Sequence, residues 1–519
     1  MESPPVEAAP TAPAPRAPRR FRRLRVAAQI ALGLAVSLGL TEAVFRKRDG
    51  AAFPLVNVYE RDTVRGVRLS PGSVTAVGRP GERTTHVRIN AEGYRGAEWP
   101  SASSGEVIVV GDSLSFGLGV EEDEALAARL HASLPSAPAV LDASVPTYGP
   151  PEYLATMKQI LDRRRPATVV LVINLMNDLV EVHSPNRERH TAVDGWAARV
   201  DGSAAPRSSS ALRTRLIQRS HAAFALWRWL RTREAAASNI TPEPGFDDLL
   251  KLGARVAGEV QRDGAHRAEE ARRAAALVAA QVELREAQRD VLAVAERYRS
   301  LVSSSQTLSR EWESYLRSAG DPHDEIFRLG WGGCVPPPRG REYGRYARFR
   351  GDRIRTDVEH ELGKLARAFP GEIRDAIDGA FARRRAAEAR LAALPTAPLP
   401  PPAARSPLPI APMLAEAQSL AAAHGASLAV VVAPLDAQVS ESARRRRDLG
   451  EADATALTAL TVAVAVAARA AGAVGIDATP ALEKAGPAAF LEDGHLSAAG
   501  HEALARAVTE ALHMRSARE

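Results

Sequence analysis

The stretch V107-I-V-V-G-D-S-L-S-F-G-L-G-V120 decides the reading of this chain. Four apolar residues of high β propensity run without a polar break into Gly111-Asp112-Ser113. A continuous apolar run of this kind is a strand buried on both faces. It ends on a serine behind an acid and a glycine. By itself, G-D-S is an ordinary strand-to-helix turn in which Asp112 or Ser113 caps a helix. The rest of the chain decides whether Ser113 is also a nucleophile.

Outward from this strand, the pattern repeats. A helix is expected over 121–134, a second strand over 138–144, a helix over 151–164 and a third strand over 168–178. A fourth strand follows at 427–435 and a fifth at 473–478. Buried strands alternating with helices predict an α/β fold with a parallel sheet covered on both faces. The apolar stretch 456–473 carries Arg469 and sits inside this alternation, so it reads as a buried helix.

About 250 residues separate the third and fourth strands, far more than a crossover needs. The excess reads as a helical insertion over 183–394. A heptad runs through Leu277, Leu284, Val291 and Tyr298, with Ala280, Ala287, Val294 and Leu301 three further on. A second helical stretch at 353–394 carries Ile354, Val358, Leu362, Leu365 and Phe369 on one face. Together they predict an antiparallel hairpin with coiled-coil character, offering a surface for partner contact. The eight prolines of 395–412 make a stiff linker back to the sheet.

The N-terminus has its own logic. Residues 1–25 form a basic Pro/Ala-rich tail expected to be disordered. An apolar stretch, 26–45, follows, and Arg46, Lys47 and Arg48 close it. Six arginines between Arg16 and Arg25 orient the tail to the cytoplasm and the remainder outside. The expected location is the inner membrane, crossed once, with the main domain on the external side. A cleaved signal peptide is the rival reading.

Composition excludes several classes. Of 68 basic residues only five are lysine, and the bases are balanced by 62 acids to a net charge of +6. No nucleic-acid motif accompanies them, so nucleic acid is not an expected partner. Cys334 is the single cysteine, which excludes an internal disulfide and a cysteine-based metal cluster. The twelve histidines show no metal-ligand spacing, and no phosphate loop or dinucleotide fingerprint occurs. No metal or organic cofactor is expected.

In open parallel sheets, ligands gather at the carboxyl ends of the strands. Ser113, Thr147 and Asn177 fall there, and Asp493-Gly494-His495 stands before a helix that Ser497 can cap. These are the parts of an acyl-transfer site. Ser113 needs a base, and His495 can act near neutral pH. Asp493, two residues from His495 on what reads as an extended segment, can orient the imidazole. Glu492 is the alternative acid. The Ser113 and Thr147 backbone N–H groups and the Asn177 amide are candidate oxyanion donors. Asp112 and Asp178 read as structural acids, Asp436 as a loop acid, and Arg444 to Arg447 as a solvated helix start.

These blocks resemble the SGNH, or GDSL-type, hydrolase superfamily. Gly111-Asp112-Ser113 matches its first block and Asn177-Asp178 its third. Asp493-Gly494-His495 matches the Asp-x-His form of the last, found in members linked to polysaccharide acetylation. Glu42, Arg46 and the I89-N-A-E-G-Y-R-G96 stretch are similar to features of membrane-anchored bacterial members. The resemblance covers 50–180 and 413–515, within a domain expected over 50–182 and 413–515, and leaves the insertion aside. It implies a flavodoxin-like three-layer fold and a serine esterase using Ser113, His495 and Asp493 on an acyl ester, such as an acylated glycan or lipid. Two alternatives stand beside it: an O-acyltransferase acting on an envelope polysaccharide, and a decayed scaffold whose working part is the insertion. Thr147 and Leu175 replace glycines of the family pattern, and Leu175 is expected to narrow the pocket.

Overall fold

The computed structural model describes residues 19–78, 83–103, 105–135, 138–200, 210–235, 245–303 and 371–516. Its centre is a five-stranded sheet made of β1 (Val107–Val110), β2 (Val140–Asp142), β3 (Thr168–Asn174), β4 (Ser427–Ala433) and β5 (Val474–Asp477). The strands lie in the order 2-1-3-4-5, and every neighbouring pair is parallel. This is the doubly wound order in which the chain reverses direction across the sheet between β1 and β3. The loops after those two strands diverge and leave a crevice at the carboxyl edge.

The apolar runs form central strands because both of their faces are covered. Val169 to Ile173 and Leu428 to Ala433 are almost wholly buried. Ile108, Leu171, Val430 and Val432 pack with Tyr153, Met157, Leu414, Leu457 and Leu460 from helices Pro150–Leu161, Ala411–Ala423 and Glu451–Ala470. Val109, Val170, Val172 and Val431 face the other way, onto Leu126, Leu130, Leu504 and Val508 of Leu126–Ser133 and Ala498–Ser516. Each buried valine or leucine contributes about 1.5–3 kcal/mol. Gly475 on β5 has a packing reason: a Cβ there would meet the Ala465 carbonyl at 2.0 Å, so glycine lets Glu451–Ala470 approach the sheet. That helix is apolar enough to cross a membrane but packs on the core, as expected of a buried helix.

Around the sheet sit three antiparallel pairs: Tyr59–Asp62 with Gly66–Leu69, Val74–Val77 with Thr85–Arg88, and His190–Val193 with Trp196–Arg199. At the N-terminus, helix Arg19–Arg48 contains a span, Arg23–Arg48, long and apolar enough to cross a membrane, with none of it buried. Near its end, the Glu42 carboxylate accepts hydrogen bonds from the His221 and Ala222 N–H groups, both at 3.0 Å, and from the Ser220 hydroxyl at 2.7 Å. It thereby caps helix His221–Ala235.

The chain divides into two compact units, 1–260 with 405–519, and 261–404. The second unit covers only part of the insertion read over 183–394. The pair His190–Val193/Trp196–Arg199 packs on Tyr59–Asp62 in the first unit, and the first turns of helix Phe246–Ser303 also belong there. Leu408 and Ile410 are buried in the sheet unit, and the next helix starts at Ala411, so the proline linker ends earlier than expected.

In the second unit, Arg383 Nε bonds Asp290 Oδ2 at 2.9 Å and Arg390 pairs with Glu283. One number rises as the other falls, so Gly371–Ala393 runs antiparallel to Phe246–Ser303. Of the heptad positions, Ala280 and Ala287 are buried while Leu277 is 43% exposed. The buried alanines belong to one of the two heptad positions read from sequence, and Leu284 of the other is half-buried. Residues 353–370, the Gly-rich and Pro-rich tip and Cys334 lie outside the described residues.

Candidate active site

β1 delivers Ser113 to the crevice at the first position of the short helix Ser113–Phe116. Asp112 fixes the turn. Its Oδ1 accepts the Leu114 N–H at 2.9 Å, and its Oδ2 accepts Asn174 Nδ2 at 2.8 Å from the end of β3. Burial pushes the Asp112 carboxyl above its usual range, and the Asn174 and Leu114 bonds pull against it. Arg95, from the stretch before β1, holds the far side of the turn. Its buried guanidinium donates to the carbonyls of Phe116 (2.8 Å), Gly117 (2.6 Å) and Val120 (2.7 Å).

His495 arrives from the opposite end of the chain. Its Nε2 lies 3.1 Å from Ser113 Oγ, across 382 positions of sequence. On its other side, Nδ1 lies 3.2 Å from Asp493 Oδ2, and the His495 N–H donates to Asp493 Oδ1, also at 3.2 Å. The segment is a turn, in contrast to the extended segment expected from sequence. The Leu491 N–H donates to the His495 carbonyl at 2.7 Å, and Gly494 closes the turn at φ +90°. A Cβ on Gly494 would also sit 2.7 Å from Arg447 Nη2, which the arginine can relieve by shifting, so the positive φ is what calls for glycine. Glu492 does not line the cavity, whereas Asp493, itself exposed, does and is the acid that lies against His495. Ser497 caps the next helix through the Gly500 N–H.

Ser113, Thr147, Asn177, Asp493 and His495 all line one cavity of about 530 Å³. The Ser113 and Thr147 N–H groups donate to no acceptor among the described residues. Thr147 adopts φ +80°, a region that costs a non-glycine residue roughly 1–2 kcal/mol. Two neighbours hold it there. Asn186 Nδ2 donates to Thr147 Oγ1 and Arg189 Nη2 to the Thr147 carbonyl, each at 3.3 Å. Asn177 Nδ2 donates to Glu181 Oε2 at 3.1 Å, and Glu181 Oε1 accepts Arg189 Nη1 at 2.6 Å. Burial pushes the Glu181 carboxyl up to about 7, against the opposing pull of Arg189 and Asn177. Arg189 and Glu181 thus tie together the backbone at 147 and the amide at 177.

Several expectations change. Leu175 is fully buried in the core and leaves the pocket unobstructed. Asp436 is a buried acid at the cavity rim, accepting Arg447 Nε at 2.8 Å, so neither it nor Arg447 is an ordinary solvated residue. Asp178 is structural, as read: it accepts the Tyr153 hydroxyl at 2.9 Å and the Asn174 N–H at 2.8 Å, and burial raises its pKa well above the usual range. The sequence reading missed Arg95, Asn174, Glu181, Asn186 and Arg189. The asparagine that ends β3, Asn174, and the arginine in the pre-strand block were visible. No spacing rule singles out Glu181, Asn186 or Arg189, because their partner is a loop following another strand.

Chemically, the arrangement offers a hydroxyl in contact with an imidazole, a carboxylate on the imidazole's other nitrogen, and unengaged N–H donors beside them. Among the described residues, no group of three or more His, Cys, Asp or Glu side chains is placed to hold a metal ion. No protein-family model, curated protein or solved structure matches the chain.

Proposed function

We propose that this protein is a membrane-anchored serine esterase of the SGNH type, with its catalytic domain on the external side of the inner membrane. The observation that carries the proposal is the 3.1 Å approach of His495 Nε2 to Ser113 Oγ, within the range required of a nucleophile and its base. Ser113 Oγ attacks the ester carbonyl carbon while His495 takes its proton. Asp493 holds the imidazole tautomer and stabilises its charged form. The Ser113 and Thr147 N–H groups face the developing oxyanion. The Asn177 amide, which donates to Glu181 and also bears on the Asp112 carboxyl, is the third donor. His495 then returns the proton to the leaving alcohol. Water, activated by the same imidazole, releases the acid.

The Asp493-Gly494-His495 spacing, together with the apolar N-terminal helix, also supports transfer of the acyl group to an envelope glycan hydroxyl. That reading keeps every residue role and changes only the acceptor. The Ser113–His495 contact weighs against a purely structural protein. The test is fluorophosphonate labelling and short-chain acyl ester hydrolysis by the wild type beside Ser113→Ala and His495→Ala, with and without added glycan. Labelling and turnover that vanish in both variants are expected. Wild-type protein that neither labels nor turns over, while remaining folded, refutes the assignment.

A further inference from the structure

Helix Ala211–Arg219 packs on helix His221–Ala235, which in turn packs on the N-terminal helix. All three lie in the first compact unit. Between Ala211–Arg219 and the end of the N-terminal helix runs a groove of about 410 Å³. Leu212, Arg215, Leu216 and Arg219 line one wall, and Glu42, Arg46 and Ser220 line the rest. The spacing 212, 215, 216, 219 is one face of a helix, apolar and basic at once. Leu212 is 80% exposed and Leu216 58%. On the neighbouring helix, Leu226, Trp229 and Leu230 are each at least half exposed.

Scattered exposed leucines need no explanation. A cluster of four with a tryptophan does, and its position supplies one. Glu42 is bonded to the start of His221–Ala235, so the cluster is fixed to the last turns of the membrane-length helix. Tryptophan and leucine beside arginine is the composition that settles at a bilayer interface. Glu42 is already occupied by Ser220, His221 and Ala222, and Arg46 Nε pairs with it at 3.8 Å. Arg215 and Arg219 have no acidic partner among the described residues, which leaves their charge for an anion from outside the chain.

We propose that this face is a second membrane contact, in which the groove takes the phosphate of an anionic phospholipid between Arg215 and Arg219, beside the Arg46–Glu42 pair. Leu212 and Leu216 meet the top of its acyl chains, and Leu226, Trp229 and Leu230 lie in the interfacial layer. The inference rests on the reading of Arg23–Arg48 as a membrane-crossing helix. It predicts that the hydrolase unit is held against the bilayer surface as well as tethered to it.

The test uses the full chain reconstituted into phosphatidylcholine vesicles, with and without phosphatidylglycerol. Emission assigned to Trp229, by difference from Trp229→Phe, is expected to be quenched by lipids brominated high on the acyl chain. In detergent, a fluorescent short-chain phosphatidylglycerol is expected to bind in preference to its phosphatidylcholine counterpart. Arg215→Gln with Arg219→Gln should weaken that binding about 30-fold, at roughly 1 kcal/mol for each arginine near an anionic headgroup. Protein that floats with the vesicles while Trp229 stays unquenched and phosphatidylglycerol binding is unaltered by the double variant overturns the proposal and leaves the anchor intact. Protein that does not float overturns the anchor and this proposal together. Displacement of the lipid by inorganic phosphate at equal concentration also refutes it, because the groove would then be a free-anion site.

Discussion

The role of Asp493 offers the sharpest test of the site. In Asp493→Asn the side chain keeps its size and loses its charge. Its Oδ2 lies 3.2 Å from His495 Nδ1, and the side chains are 38% and 26% exposed. Two charges centred about 4 Å apart interact by roughly 4 kcal/mol at the effective dielectric of a protein surface and about 1 kcal/mol in water. A pair this open to solvent falls between these limits, at about 2–3 kcal/mol. That energy acts only once the imidazole is protonated, which is in the transition state. The expected cost is therefore a 30- to 150-fold fall in kcat, with KM little changed. This is far below the roughly 10⁴-fold loss when a fully buried orienting aspartate is neutralised. The assay is p-nitrophenyl acetate hydrolysis beside Glu492→Gln, which should behave as wild type. Unchanged activity in Asp493→Asn, or a larger loss in Glu492→Gln, would refute the reasoning that assigns Asp493 to His495.

The remaining expectations concern the surroundings of the site. Glu181 titrates near 7 in the fold, against an ordinary 4.5, so the folded state holds its proton more tightly than the unfolded chain does. Its contribution is full below pH 4.5 and is lost as pH rises to 7, at most about 3 kcal/mol; urea unfolding of Glu181→Gln should show a flatter pH dependence over that window. His501 runs the opposite way: burial pulls its pKa from 6.5 down to about 3, and neither ring nitrogen has a hydrogen-bond partner among the described residues. Stability is therefore full above pH 6.5 and falls as pH drops towards 3, and thermal melts of His501→Leu should lose that fall. Gly494→Ala forces a side chain into φ +90° and against Arg447. It should cost about 1–3 kcal/mol in stability and lower kcat by displacing the turn that joins Asp493 to His495; a variant as active and stable as wild type contradicts that account.

What the sequence disclosed follows from what local chemistry dictates. A run such as Val169 to Ile173 can only be a strand buried on both sides, and each of the five strands falls within a stretch read that way. Ser113, Thr147 and Asn177 were visible because they follow such strands, and Asp493 and His495 because they precede a helix. Their convergence was not. Strand order brings the loops after β1 and β3 together, and the helix Ala498–Ser516, packed on the same face of the sheet as Leu126–Ser133, holds His495 beside them. The Asp493–His495 pairing was foreseen, yet the turn that makes it was misread. Two residues of spacing suit an extended segment equally well, and only the Arg447–Asp436 pair beside Gly494 shows why the chain bends. The network through Glu181, Asn186 and Arg189 left no trace in the sequence, since its members meet only after β3 and the loop following β2 lie side by side. Periodicity and composition fixed which segments become strands and helices, because burial acts on each residue where it stands. Which side chains meet was decided by the packing of the sheet, because contact across hundreds of positions depends on where the whole chain turns.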